Sequence, residues 1–268
     1  MRKTTKAIFA IISFAILYQS CSIVPLTGRK QLSLVPESEM ISMSLTSYTD
    51  FMKVNHVSPD KKNADLVKEV GSNIQAAVIK YLGDNNLSSR LDGYQWEFNL
   101  VKNDSTPNAW CMPGGKVVVY SGILPYTQDK NGLAVVLSHE IAHAVARHGN
   151  ERMSQELLAQ FGSVALNELI KTKPEQTKSI FNGAYGLGAQ YGVMLPYSRD
   201  HELEADKLGL IFMAMAGYNP QTAIAFWERM SSMGGSKPPE FMSTHPSDAT
   251  RINKIKAALP EAMTYYKK

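Results

Sequence analysis

The stretch VVLSHEIAHAVARHGN, residues 135–150, holds three of the chain's six histidines within ten positions. An α-helix turns about 100° per residue, so His139 and His143 share a face one turn apart, and Glu140 stands about 60° from His143. Two neutral imidazoles at this spacing bind zinc, while the glutamate between them acts on the metal's water. On a continuous helix His148 falls about 180° away, which predicts a helix-end or packing role for it. The third histidine of the metzincin pattern would stand six positions after His143, where the chain has Gly149. Gly149 and Asn150 predict a helix stop. The alternative is a buried polar patch held by hydrogen bonds alone.

A catalytic zinc takes three protein ligands and keeps a fourth position open, so the histidine pair is one ligand short. The segment YSRDHELEADKLGL, residues 197–210, offers Asp200, His201, Glu202, Glu204 and Asp206. Glu202 and Asp206 share a helical face at i, i+4, and Glu204 is predicted to point away from it. One carboxylate on that face can ligate the metal while the other accepts a hydrogen bond from a ligand histidine's second nitrogen. Spacing leaves open which does which. The alternative is a solvated charged face. A purely structural zinc site is disfavoured, because such sites are closed by four protein ligands.

HEIAH followed some sixty residues later by SRDHELEAD resembles the gluzincin metallopeptidases that include the HtpX, Oma-type, Ste-twenty-four-type CAAX and BepA-like proteases. PLTGRKQLSLV near the start, NAWCMPGG at 108–115 and STHPSDATRI at 243–252 are similar to the exported members. The resemblance runs over most of residues 25–256. It implies an α+β, mostly helical, zincin-like fold with a small β-sheet beside the HExxH helix. It also implies one zinc per chain, on His139, His143 and Glu202, with Asp206 orienting a ligand histidine and Glu140 as the catalytic base.

Those groups need a scaffold. Residues 22–35 are predicted to be extended, with a turn at Thr27–Gly28, and a helix is predicted from Pro36 to about Val54. Apolar residues at Val67, Val70, Ile74, Ala77, Val78 and Tyr81 predict a second helix from Pro59 to Leu82. Tyr94, Trp96, Phe98 and Leu100 alternate with polar neighbours as in a half-buried strand. After the Met112–Gly115 turn, KVVVYSGIL predicts another strand; the resemblance implies an edge on which an extended peptide can pair, and the alternative is an ordinary interior strand. Helices are predicted at about 151–171, 198–216 and 220–233. The glycine-rich segment 183–192 is compatible with a close-packed helix or a flap.

His245 precedes Pro246, which predicts extended backbone in a loop. Near zinc, its imidazole could act catalytically by donating to the oxyanion, or could take the water's place. The alternative is a surface loop whose Asp248 and Arg251 start or brace the last helix.

Residues 1–20 place three cations before a 12-residue apolar run, Ala7–Tyr18, too short to span a bilayer and suited to a lipoprotein-type signal peptide. Cleavage there would leave Cys21 as a lipidated first residue, although Tyr18 stands where the usual motif has leucine. Removing residues 1–20 takes three of the 28 basic residues and none of the 24 acidic ones, leaving a balance of +1 and no nucleic-acid surface. With two cysteines, Cys21 and Cys111, a disulfide framework is excluded. The expected organisation is a signal peptide (1–20), an extended lead-in (21–35) and a single metallopeptidase domain (36–268). The expected protein is a zinc metalloendopeptidase of misfolded or membrane-associated envelope proteins, held to the membrane by a lipid anchor. Its expected location is the bacterial cell envelope, facing the periplasm, at the outer membrane. The competing reading is a chaperone-like assembly factor that binds unfolded chains in the same cleft with little turnover.

Overall fold

The computed structural model describes residues 21–25, 27–161, 172–185, 198–232, 240–245 and 249–267. The signal-peptide reading of residues 1–20, and the reading of the glycine-rich segment beyond Tyr185, lie outside them. The lead-in is a hairpin in which β1 (Cys21–Ile23) runs antiparallel to β2 (Lys30–Leu32). Its turn forms where Gly28 takes a positive φ of 68°.

Helices α1 (Glu37–Val54) and α2 (Lys61–Asp84) follow, the second capped by the Asp60 side chain on Asn63 N. A three-stranded sheet comes next: β3 (Glu97–Val101), β4 (Ala109–Met112) and β5 (Lys116–Tyr120), in the order β3-β5-β4. β5 runs parallel to β3 and antiparallel to β4. The VVVY strand is therefore central rather than an edge. Its continuous apolar run serves a strand covered on both faces. Val117 and Val119 join the larger core with α2, while Val118 and Tyr120 join Tyr48 and Phe51 of α1 on the other side. The strand stops at Tyr120, short of the predicted Leu124, because a 3-10 turn (Ser121–Ile123) leads into the short α3 (Leu124–Thr127), whose second residue is Pro125.

Helix α4 (Lys130–Ala146) begins at Asp129, whose side chain accepts from Asn131 N and Gly132 N, and is buried from Gly132 to Ala146. It does not stop at Gly149. Arg147 takes the left-handed cap conformation (φ 62°), and His148 opens α5 (His148–Phe161). Gly149 answers a packing need instead, since a Cβ there would lie 2.2 Å from the Tyr185 ring. Beyond α6 (Pro174–Ala184), α7 (Arg199–Met215) lies along α4. The two approach closely at Gly209, where a Cβ would stand 3.2 Å from His139 N. α8 (Thr222–Ser232), α9 (Glu240–Thr244) and α10 (Ala249–Tyr265) complete the architecture. It is the expected α+β, mostly helical arrangement with a small sheet against the motif helix. Among the described residues no helix is long and apolar enough to cross a membrane.

Candidate metal centre

The i, i+4 spacing on α4 brings His139 Nε2 and His143 Nε2 to 3.0 Å of each other. Helix α7 opens on Ser198, whose hydroxyl caps His201 N, and its first turn delivers Glu202. Glu202 Oε1 lies 3.3 Å from His143 Nε2, and Oε2 lies 3.5 Å from His139 Nε2. The end of α9 carries His245 to the same point, with Nδ1 3.0 Å from Glu202 Oε1 and 3.2 Å from His139 Nε2. These four buried residues form the group able to hold a metal ion among the described residues.

The donor set fits a cation. His139 Nδ1 faces Asp206 Oδ1 at 3.0 Å, and His143 Nδ1 faces His148 Nδ1 at 2.9 Å. With their protons on those outer nitrogens, both Nε2 lone pairs point at each other and at a carboxylate, a buried convergence that repels unless positive charge sits within it. The electrostatics agree. Burial opposes charge on His139, yet Asp206 and Glu202 outweigh it and raise its pKa to about 9. Burial likewise opposes ionisation of Glu202, but His245 and Arg251 hold it well below the usual carboxylate range. Burial keeps His143 neutral and raises the Glu140 carboxyl.

Glu140 is buried beside this group, with Oε1 lacking a hydrogen-bond partner and 3.4 Å from His245 Nε2. Asp206 does face a ligand-type histidine, as the helix phase predicts. The charged segment is not a solvated face, because Glu202, Glu204 and Asp206 are all buried.

Two features escape the sequence reading. Arg251 does more than brace a helix start. Its guanidinium forks onto Asp206 (Nε–Oδ2 2.7 Å, Nη2–Oδ1 2.8 Å), reaches Glu202 Oε2 at 2.8 Å, and sits 3.5 Å over the Trp227 ring. A signal existed, since Arg251 shares a helical stripe with the buried Ile255 and Ala262. The second is His148. The break at Arg147 turns it back toward His143 rather than away, and its Nε2 lies 3.2 Å from Glu204 Oε2.

The model of peptidase family M48 matches residues 72–259, more than half of the chain. Over 176 residues the chain is 39% identical to the mitochondrial metalloendopeptidase OMA1 of Schizosaccharomyces pombe, covering 65% of this chain and 50% of that protein. It is 28% identical over 264 residues to the human mitochondrial metalloendopeptidase OMA1, covering 95% of this chain and 49% of that one. The beta-barrel assembly-enhancing protease of Escherichia coli is 29% identical over 163 residues, 59% of this chain and 33% of its own length. The chain thus spans about half the length, or less, of the curated relatives it matches.

These relatives correct one expectation. Proteins named as mitochondrial, from yeasts, a plant and mammals, match more strongly than the bacterial ones, so a location in the bacterial cell envelope is not supported. The physical reason is that a cationic, acid-free leader marks targeting signals of several compartments and does not single out one.

Proposed function

Because the chain belongs to peptidase family M48, we propose that it is a zinc-dependent metalloendopeptidase with its centre between α4 and α7. One observation carries this reading: His139, His143, Glu202 and His245 converge beside a buried Glu140 whose Oε1 has no hydrogen-bond partner. The ligand atoms that these four residues offer lie within 4.8 Å of one another, close enough to be shared by one cation.

The proposed ligands are His139, His143 and Glu202. Zinc, when bound, supplies a Lewis acid that acidifies water and polarises the scissile carbonyl. Asp206 holds the His139 ring, and Arg251 fixes Asp206 and Glu202 together. Glu140 takes the attacking water's proton and returns it to the leaving amine, a task suited to a carboxyl whose pKa burial has raised. Among the described residues β4 pairs with β5 alone, which leaves an outer edge on which an extended polypeptide can add as a strand. The substrate class is accordingly extended or unfolded polypeptide. Casein hydrolysis that stops with a chelator and resumes with zinc tests the proposal, and hydrolysis indifferent to chelator would overturn it.

His245 Nδ1 stands 3.2 Å from His139 Nε2 and 3.0 Å from Glu202 Oε1, where it would compete with water for a metal held by the other three residues. That placement favours a closed resting form over an oxyanion donor. His245→Ala is expected to raise turnover while zinc content stays unchanged, as read by peptide cleavage and metal analysis. A fall in turnover instead assigns His245 to the oxyanion. No cleavage by either protein leaves the binding of unfolded chains without turnover.

A further inference from the structure

The lead-in hairpin reaches the back of the metal centre. Thr27 Oγ1 donates to Glu204 Oε1 at 2.5 Å, and Arg29 Nε donates to Glu204 Oε2 at 2.9 Å. The other two guanidinium nitrogens fork onto Glu151 at 2.9 and 2.7 Å. Glu151 Oε2 in turn lies 2.9 Å from His201 Nε2, and the His201 ring stacks on His148 with centroids 4.5 Å apart. The hairpin is itself anchored. Val24 is buried in the larger core, Arg90 donates to Ile23 O, and Leu34 N donates to Ser154 Oγ at 2.9 Å.

With His148 neutral, the hydrogen bonds along this chain place its protons in one way. The Glu204 carboxylate only accepts, so His148 Nε2 must carry a proton toward it. His148 Nδ1 is then a lone pair, and His143 Nδ1, 2.9 Å away, must donate to it. His143 Nε2 is left unprotonated and aimed at the other three donors, which is the tautomer a metal requires.

We propose that Arg29, assisted by Thr27, is a positioning residue for this centre: the N-terminal hairpin is a strap that, through Glu204 and His148, sets the tautomer and ring orientation of His143. Arg29 suits this because its planar fork spans two carboxylates on two helices, which an ammonium cannot do. The strap makes Thr27 and Arg29 part of the site although they precede the family match at residue 72. The inference deepens the metallopeptidase reading and rests on it for its effect on catalysis.

The test uses the full chain with Arg29→Ala, Arg29→Lys and Thr27→Val. Zinc affinity is measured by competition with a chromophoric chelator, and kcat and KM on a peptide at saturating zinc. Imidazole ¹⁵N shifts of the metal-free protein give the His143 tautomer. Arg29→Ala is expected to weaken zinc binding by about 10–100-fold, the usual effect of losing a partner behind a ligand. It should also lower kcat more than KM and convert His143 from a single Nδ1–H tautomer to a mixture. Arg29→Lys is expected to fall between it and the wild type, and Thr27→Val to shift affinity the same way by less. Should Arg29→Ala not fold, those two milder variants decide. A folded Arg29 variant with unchanged zinc affinity and an unchanged His143 tautomer overturns the proposal, whatever its melting temperature. A wild-type chain that binds no zinc sinks the peptidase reading, and the tautomer measurement still decides the strap.

Discussion

Glu140→Gln is expected to keep its zinc and lose peptide cleavage by about 10²–10⁴-fold, the contribution typical of a positioned general base. The substitution preserves shape and volume, and Glu140 stands outside the four converging donors, so neither fold nor metal has cause to change. What disappears is a buried carboxylate able to accept a proton, since a neutral amide has no basic oxygen at any working pH. Metal analysis beside cleavage of a defined peptide checks both halves. Proteolysis close to the wild-type level, with contaminating proteases excluded, moves the base to another residue. Loss of zinc along with activity instead makes Glu140 a structural support of the ligands.

The parts of the site that could be read from sequence are those fixed by local periodicity. His139, Glu140 and His143 lie on one helix, and Glu202 with Asp206 on another, so 3.6-residue geometry alone predicts which pairs share a face. The prediction failed where a distant contact sets the local backbone. Arg147 adopts a left-handed conformation uncommon for a residue with a side chain, and its Nε meets Glu37 Oε2 at 3.1 Å, 110 positions back in the chain. That break reverses the direction of His148, and no local rule would have placed it. Glu204 does point away from the Glu202–Asp206 face, as helical phase predicts, but its partners there, Thr27 and His148, are 177 and 56 positions back and no local rule names them.

Strand order is a global property too. The VVVY run carried the correct signal of burial on both faces, but only the pairing of β3 and β4 with it shows that those two strands hold the edges. Arg251 and Asp206 are 45 positions apart, so the stripe that Arg251 shares with Ile255 announces burial without announcing a partner.

Glu202→Ala is expected to abolish stable zinc binding, whereas Glu204→Ala is expected to remain fully loaded at saturating zinc with affinity lowered by no more than about 10–100-fold. The difference follows from what each carboxylate faces. Glu202 Oε1 is 3.0 Å from His245 Nδ1 and 3.3 Å from His143 Nε2, inside the convergence, while Glu204 reaches the centre only through His148. Deleting Glu202 also removes one partner of a buried guanidinium, a change that costs about 3–5 kcal/mol where the charge is left without compensation. Here Arg251 keeps both oxygens of Asp206 and the Trp227 face, so the fold is expected to survive and the loss to fall on the metal. Metal content by mass spectrometry, with circular dichroism to show that each variant is folded, separates the two outcomes. Retention of zinc by the alanine at 202 together with its loss at 204 reverses the assignment. The ligand would then be the carboxylate now placed behind His148, and the helical phase on which the whole centre is built would be wrong.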